Sequence, residues 1–110
     1  MLVHLEAMII NDILIASMSV FIRHNQYHRL PPLLDTSKYL TEENKLFHKR
    51  PIVEMVEGKF DLFSQKDSQK AKRKYLNGAN IAKYLDDDHL SHQIMQEWES
   101  DLKIFTDSQL

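Results

Sequence analysis

Apolar and polar residues along this chain recur with helical spacing, most clearly near its end. Leu90, Ile94, Trp98, Leu102 and Phe105 are three or four residues apart, with Met95 beside them. That spacing places them on one helical face. It predicts a C-terminal helix over about 89–105, and Asp86, Asp87 and Asp88 precede it as N-cap candidates favoured by the helix dipole.

The N-terminal stretch "MLVHLEAMIINDILIASMSVFIRHN" predicts a long apolar helix over about 2–28. Its polar residues His4, Asn11, Ser19, Arg23 and Gln26 lie near one narrow stripe. A helix apolar round most of its circumference is packed from several sides. A short chain has few helices to surround it, so the spare face is expected to meet a second copy. Ile9, Ile13 and Val20 are expected in packed positions, as are Ile94, Trp98 and Leu102. A membrane role is not expected. Glu6, Asn11 and Asp12 interrupt the run, and residues 13–22 fall short of the ~20 that a span needs. No basic residues precede it, as a secretory signal would require.

Between these ends the signals are shorter. "RLPP" is expected to end the first helix, because the residue before a proline is pushed out of helical geometry. "TEENKLFHK" reads as a short helix capped by Thr41. Residues 52–63 have two readings: a helix opened by Pro51 and closed by Gly58, or a short β-hairpin turning at Glu57-Gly58. A basic helix follows, capped by Ser64 or Asp67, with Asn77-Gly78 as its stop and "ANIAKYL" as a further turn or two. No internal repeat is evident. The sum is an all-α chain, a compact small helical bundle of about four to six helices in one domain over 1–110.

Composition sharpens this. Two glycines and three prolines are few for an all-β fold with its many turns. No cysteine is present, which excludes disulfides and thiolate chemistry and suits a reducing compartment, so a cytoplasmic location is expected. The formal net charge of −2 gives no global field towards nucleic acid or an anionic membrane.

The charge distribution is more informative. Lys66, Lys70, Lys72, Arg73, Lys74 and Lys83 face only Asp67 in one segment; Asp86 to Asp88, Glu97, Glu99, Asp101 and Asp107 face only Lys103 in the next. Lys70, Lys72, Arg73 and Lys74 are therefore the candidates for contact with a partner or with phosphate. The favoured account pairs the basic helix with the acidic one, within the monomer or across a dimer. The others are an acidic protein partner and nucleic acid bound by the basic helix 66–74.

His24 with His28, at i,i+4, and His89 with His92, at i,i+3, are secondary metal candidates. A helix start explains the second pair's aspartates equally well, and neither Glu-x-x-His nor HExxH occurs. No metal or other cofactor is expected. No nucleophile elbow or phosphate-cradling glycine loop is present, and no catalytic residue is assigned. The expectation is a non-enzymatic regulatory or protein-interaction module, homodimeric through its N-terminal helix. The alternative is a small nucleic-acid-associated regulator.

Overall fold

The computed structural model describes residues 3–109. Five α-helices follow in order: α1 (His4–Arg23), α2 (Leu30–Glu43), α3 (Arg50–Phe63), α4 (Ser68–Tyr84) and α5 (Asp88–Ser108). Short 3-10 turns at Tyr27–Arg29 and Phe47–Lys49 lead into α2 and α3. No strand occurs among the described residues. The all-α expectation is met, and the hairpin reading of residues 52–63 is replaced by α3. A lone two-stranded hairpin is marginal, whereas α3 buries Val53, Val56 and Leu62 between its neighbours.

All four junctions pass through one left-handed residue. Asn25, Lys45, Lys66 and Asp86 have positive φ, at 58°, 53°, 58° and 60°. At three of them the amide of the next residue reaches back five positions: Gln26 to Phe21, Leu46 to Thr41 and Asp87 to Ala82; after Lys66 the Asp67 amide reaches back six, to Asp61. This is the left-handed helix cap that glycine usually serves. Here four polar, non-glycine residues fill it, at a cost of about 1 kcal/mol each.

The left-handed positions recur every 20 or 21 residues, so the chain carries an internal repeat after all. Around the first two junctions it extends to side chains. Tyr27-His28-Arg29-x-Pro31 is echoed by Phe47-His48-Lys49-x-Pro51. Conservative exchanges and one short window hide this echo in the sequence.

Several boundaries differ from expectation: Thr41 caps no separate helix, since Thr41 to Glu43 end α2 and Phe47 to Lys49 form a 3-10 turn. The first helix ends at Arg23, not near 28, and residue 2 lies outside the described residues. Pro31 and Pro32 do not break a helix; they sit in the first turn of α2, where a missing N–H costs nothing. Gly78 does not stop α4. It lies buried mid-helix, where a Cβ would come 2.8 Å from the backbone oxygen of Pro51. The helix starts were legible: Asp67 accepts from the Lys70 amide and Asp87 from the Leu90 amide, each at 3.0 Å.

The helices stack in chain order into an elongated body of 49 × 30 × 19 Å. Two cores hold it. Met18, Leu30, Leu34, Val53 and Val56 join α1, α2 and α3. Leu62, Ala71, Tyr75, Ala79, Ile94 and Trp98 join α3, α4 and α5. Ile94 and Trp98 are buried as expected, and Leu102 packs at the margin.

Candidate interaction surfaces

The end helix α1 is covered on one side only. Ala7, Asn11 and Met18 are its buried residues. Leu5, Ile9 and Ile13, one turn apart, are 64%, 52% and 59% exposed, and Ile10 and Val20 are exposed beside them. Ile9, Ile13 and Val20 therefore do not pack within the chain. The polar Asn11 turns inward instead: its Oδ1 accepts from the Ser37 hydroxyl, and its Nδ2 donates to Thr41 Oγ1 at 3.1 Å. Two hydroxyls on α2 thus decide which face of α1 is inside. α1 is also long and apolar enough, by length and composition, to cross a membrane. Glu6, Asn11 and Asp12 do not shorten it, since the 20-residue helix runs through all three.

A groove opens between α1, α3 and α5. Two adjoining recesses of about 610 and 240 Å³ share Ile52, Met55 and Glu97. Ile22, Val56 and Leu90 add apolar lining, and Arg23, Gln93 and Ser100 add polar edges. Lys59 closes the inner end. Its ammonium lies 2.8 Å from Glu97 Oε1 and 2.7 Å from Asp101 Oδ2. The Tyr75 hydroxyl donates to the same Asp101 oxygen at 2.6 Å, and the Tyr75 ring lies 5.0 Å from that of Trp98. Burial disfavours the charged form of Lys59, but Asp101 and Glu97 outweigh it and raise its pKa. Burial, with Asp101 second, pushes the Tyr75 phenol far above its ordinary range. The sequence offered no signal for Lys59; it is one of several charged residues in α3, recognisable only once α5 lies across it.

The four basic candidates divide. Lys74 Nζ lies 2.7 Å from Glu57 Oε1 and 3.9 Å from Glu54 Oε2. Lys70 approaches Asp61 Oδ1 at 3.8 Å. Lys72 and Arg73 are exposed, and neither makes an ion pair among the described residues. The acidic surface facing α4's lysines thus belongs to α3, not to the acidic C-terminal helix. Burial would raise the pKa of Glu57, but Lys74 and Lys38 outweigh it and hold it low. Asp61 is buried, and its Oδ2 has no hydrogen-bond partner. Burial raises its pKa, with Lys70 opposing.

The histidine candidates are all exposed. His24 follows α1, His28 lies in the first 3-10 turn, and His89 and His92 lie near the start of α5. Among the described residues, no three His, Asp or Glu side chains gather closely enough to hold a metal ion.

Stacked helical hairpins with a lateral groove define a helical-repeat scaffold, in which each unit packs on its neighbours and the surfaces serve recognition. The particular kind follows from comparison with known families. The chain belongs to the ComR tetratricopeptide family, whose model matches residues 1–98. No match was found among curated proteins or among solved structures. Equivalent left-handed positions here lie 41 residues apart (Asn25 to Lys66, Lys45 to Asp86). That is longer than the ~34 residues of the usual tetratricopeptide unit.

Proposed function

We propose that this chain is a non-enzymatic, cytoplasmic interaction module that pairs through α1 and receives a segment of a partner protein in the α1–α3–α5 groove. The observation that carries the pairing is the exposed ridge of Leu5, Ile9 and Ile13. A contiguous apolar ridge of this kind marks an interaction site. Self-pairing suits it because two-fold association is the commonest way for one such surface to be covered. The family's tetratricopeptide character supports a protein partner, and the groove offers apolar side chains such as Ile52, Met55 and Val56 beside polar groups for a polypeptide to meet. The absence of cysteine favours the cytoplasm.

Light scattering coupled to size exclusion tests the pairing. The expected mass is twice the 13.0 kDa of one chain. Ile9→Asp with Ile13→Asp should give one chain with an unchanged circular dichroism spectrum. A single-chain mass for the unaltered protein at its highest soluble concentration would end the dimer reading. Binding of α1 to neutral lipid vesicles, lost in the same variant, would assign the ridge to a bilayer instead.

The nucleic-acid alternative keeps less support. Lys70 and Lys74 already face carboxylates of α3, leaving Lys72 and Arg73 to meet phosphate. Salt-sensitive anisotropy of labelled duplex DNA, abolished by Lys72→Glu with Arg73→Glu, would restore it.

A further inference from the structure

The two 3-10 turns place an aromatic residue at the same point, Tyr27 in the first and Phe47 in the second. In the first unit Tyr27 stacks on Phe63, the last residue of α3, with ring centroids 5.2 Å apart and planes 26° from parallel. One junction further along, the equivalent pair is Phe47 with Tyr84, the last residue of α4. Those two rings do not stack on each other. They line an open recess of about 300 Å³ together with Arg50, Asn80, Ile81 and Leu85. Tyr84 is 87% exposed and Phe47 47%. Arg50 makes no ion pair among the described residues.

We infer that this recess is a second docking site, which takes the aromatic side chain of a partner polypeptide while an adjacent carboxylate pairs with Arg50. The incoming ring occupies the space that direct stacking closes in the first unit. Such a ring brings a large apolar area and favours offset contact with Phe47 and Tyr84. The guanidinium of Arg50 matches a carboxylate with two parallel hydrogen bonds. Asn80 offers both donor and acceptor groups at the rim. The charge arrangement fixes the polarity of the ligand. Arg50 stands on the α3 wall, while the acidic run Asp86 to Asp88 continues from the α4 wall. The recess holds about one ring and is open to solvent, which suits a side chain presented on a chain. Free small ligands favour larger pockets that enclose most of their surface. The site shares no residue with the α1–α3–α5 groove or the α1 ridge.

The test is a ¹⁵N–¹H NMR titration of the full chain with acetyl-Glu-Trp-Ser-amide and acetyl-Ser-Trp-Glu-amide, repeated with alanine for the tryptophan and with lysine for the glutamate. The expected result is saturable shifts at the amides of Phe47, Arg50, Ile81, Tyr84 and Leu85. Tyr84→Ala should abolish them, and Arg50→Gln should weaken binding about tenfold, the scale of a lost charge-assisted contact. Tyr84 lies at the surface and Arg50 is half-buried, and the remaining spectrum should report an intact fold. The alanine and lysine peptides should not saturate. The inference is overturned if no saturable shift appears at the solubility limit, if the shifts lie elsewhere, or if Tyr84→Ala leaves them unchanged. It is overturned equally if indole-3-acetate saturates the recess while the peptides do not, which would make it a small-molecule site.

Discussion

Replacing Gly58 with alanine sets a local gain against a tertiary loss. Gly58 lies inside α3, where alanine is intrinsically favoured by about 1 kcal/mol. An added Cβ, however, would lie 2.7 Å from Cδ1 and Cε1 of Tyr75 and 3.2 Å from Cβ of Lys74. Real Cβ atoms do not approach ring carbons so closely, so something must move. The Tyr75 ring has little room: it is fully buried, its hydroxyl holds Asp101 at 2.6 Å, and Trp98 backs it. Overpacking of this kind costs about 1–3 kcal/mol. Loss of the charge-assisted bond to Asp101 would add about 1.5–3 kcal/mol if the ring were expelled. Against the gain of about 1 kcal/mol, the net destabilisation is up to about 2 kcal/mol with the ring in place and about 1.5–5 kcal/mol with it expelled. Urea unfolding followed by circular dichroism should show a lower midpoint, and the melting temperature should fall by roughly 4 °C per kcal/mol. In a Tyr75→Leu background the clash is gone, and Gly58→Ala should become neutral or stabilising. Equal or higher stability of Gly58→Ala alone would refute the close α3–α4 approach.

Three further outcomes follow from buried polar groups. Lys59→Met should cost about 3 kcal/mol, because Asp101 is left buried without its cation. In the unaltered protein that pair contributes below the ordinary lysine pKa and is lost as pH rises through the raised pKa of Lys59, so alkaline unfolding above pH ~10 should lose this step in the variant. Asp61→Asn should stabilise the protein at neutral pH: a carboxyl whose folded pKa is raised opposes folding when ionised, and its protonation as pH falls favours the fold. Lower stability of Asp61→Asn at pH 7 would contradict this and make Lys70 a real partner. Asn11→Ala should cost about 1–3 kcal/mol, since the Ser37 and Thr41 hydroxyls lose their buried partner; a midpoint unchanged from the parent would mean that water replaces the amide.

The features legible in the chain alone are local ones. The helical period in Leu90 to Phe105 and the aspartate caps at Asp67 and Asp87 act within one or two turns, so they read directly. The helical content followed from them and from the scarcity of turn residues. The remaining features depend on residues far apart in the chain. The inward side of α1 is set by Asn11 finding Ser37 and Thr41, 26 and 30 positions away, and this leaves the more hydrophobic ridge outside. The acidic partner of α4's lysines is α3 rather than α5, because helices stack in chain order and α5's Glu97 and Asp101 are taken by Lys59. Gly58 and Gly78 resemble stops in the sequence, yet both serve close helix approach. The true stops are Asn25, Lys45, Lys66 and Asp86; Asn and Asp tolerate the left-handed region, but the two lysines carry no such signal. Their left-handed conformation is imposed by the packing of the helices on either side, which outweighs the modest local strain.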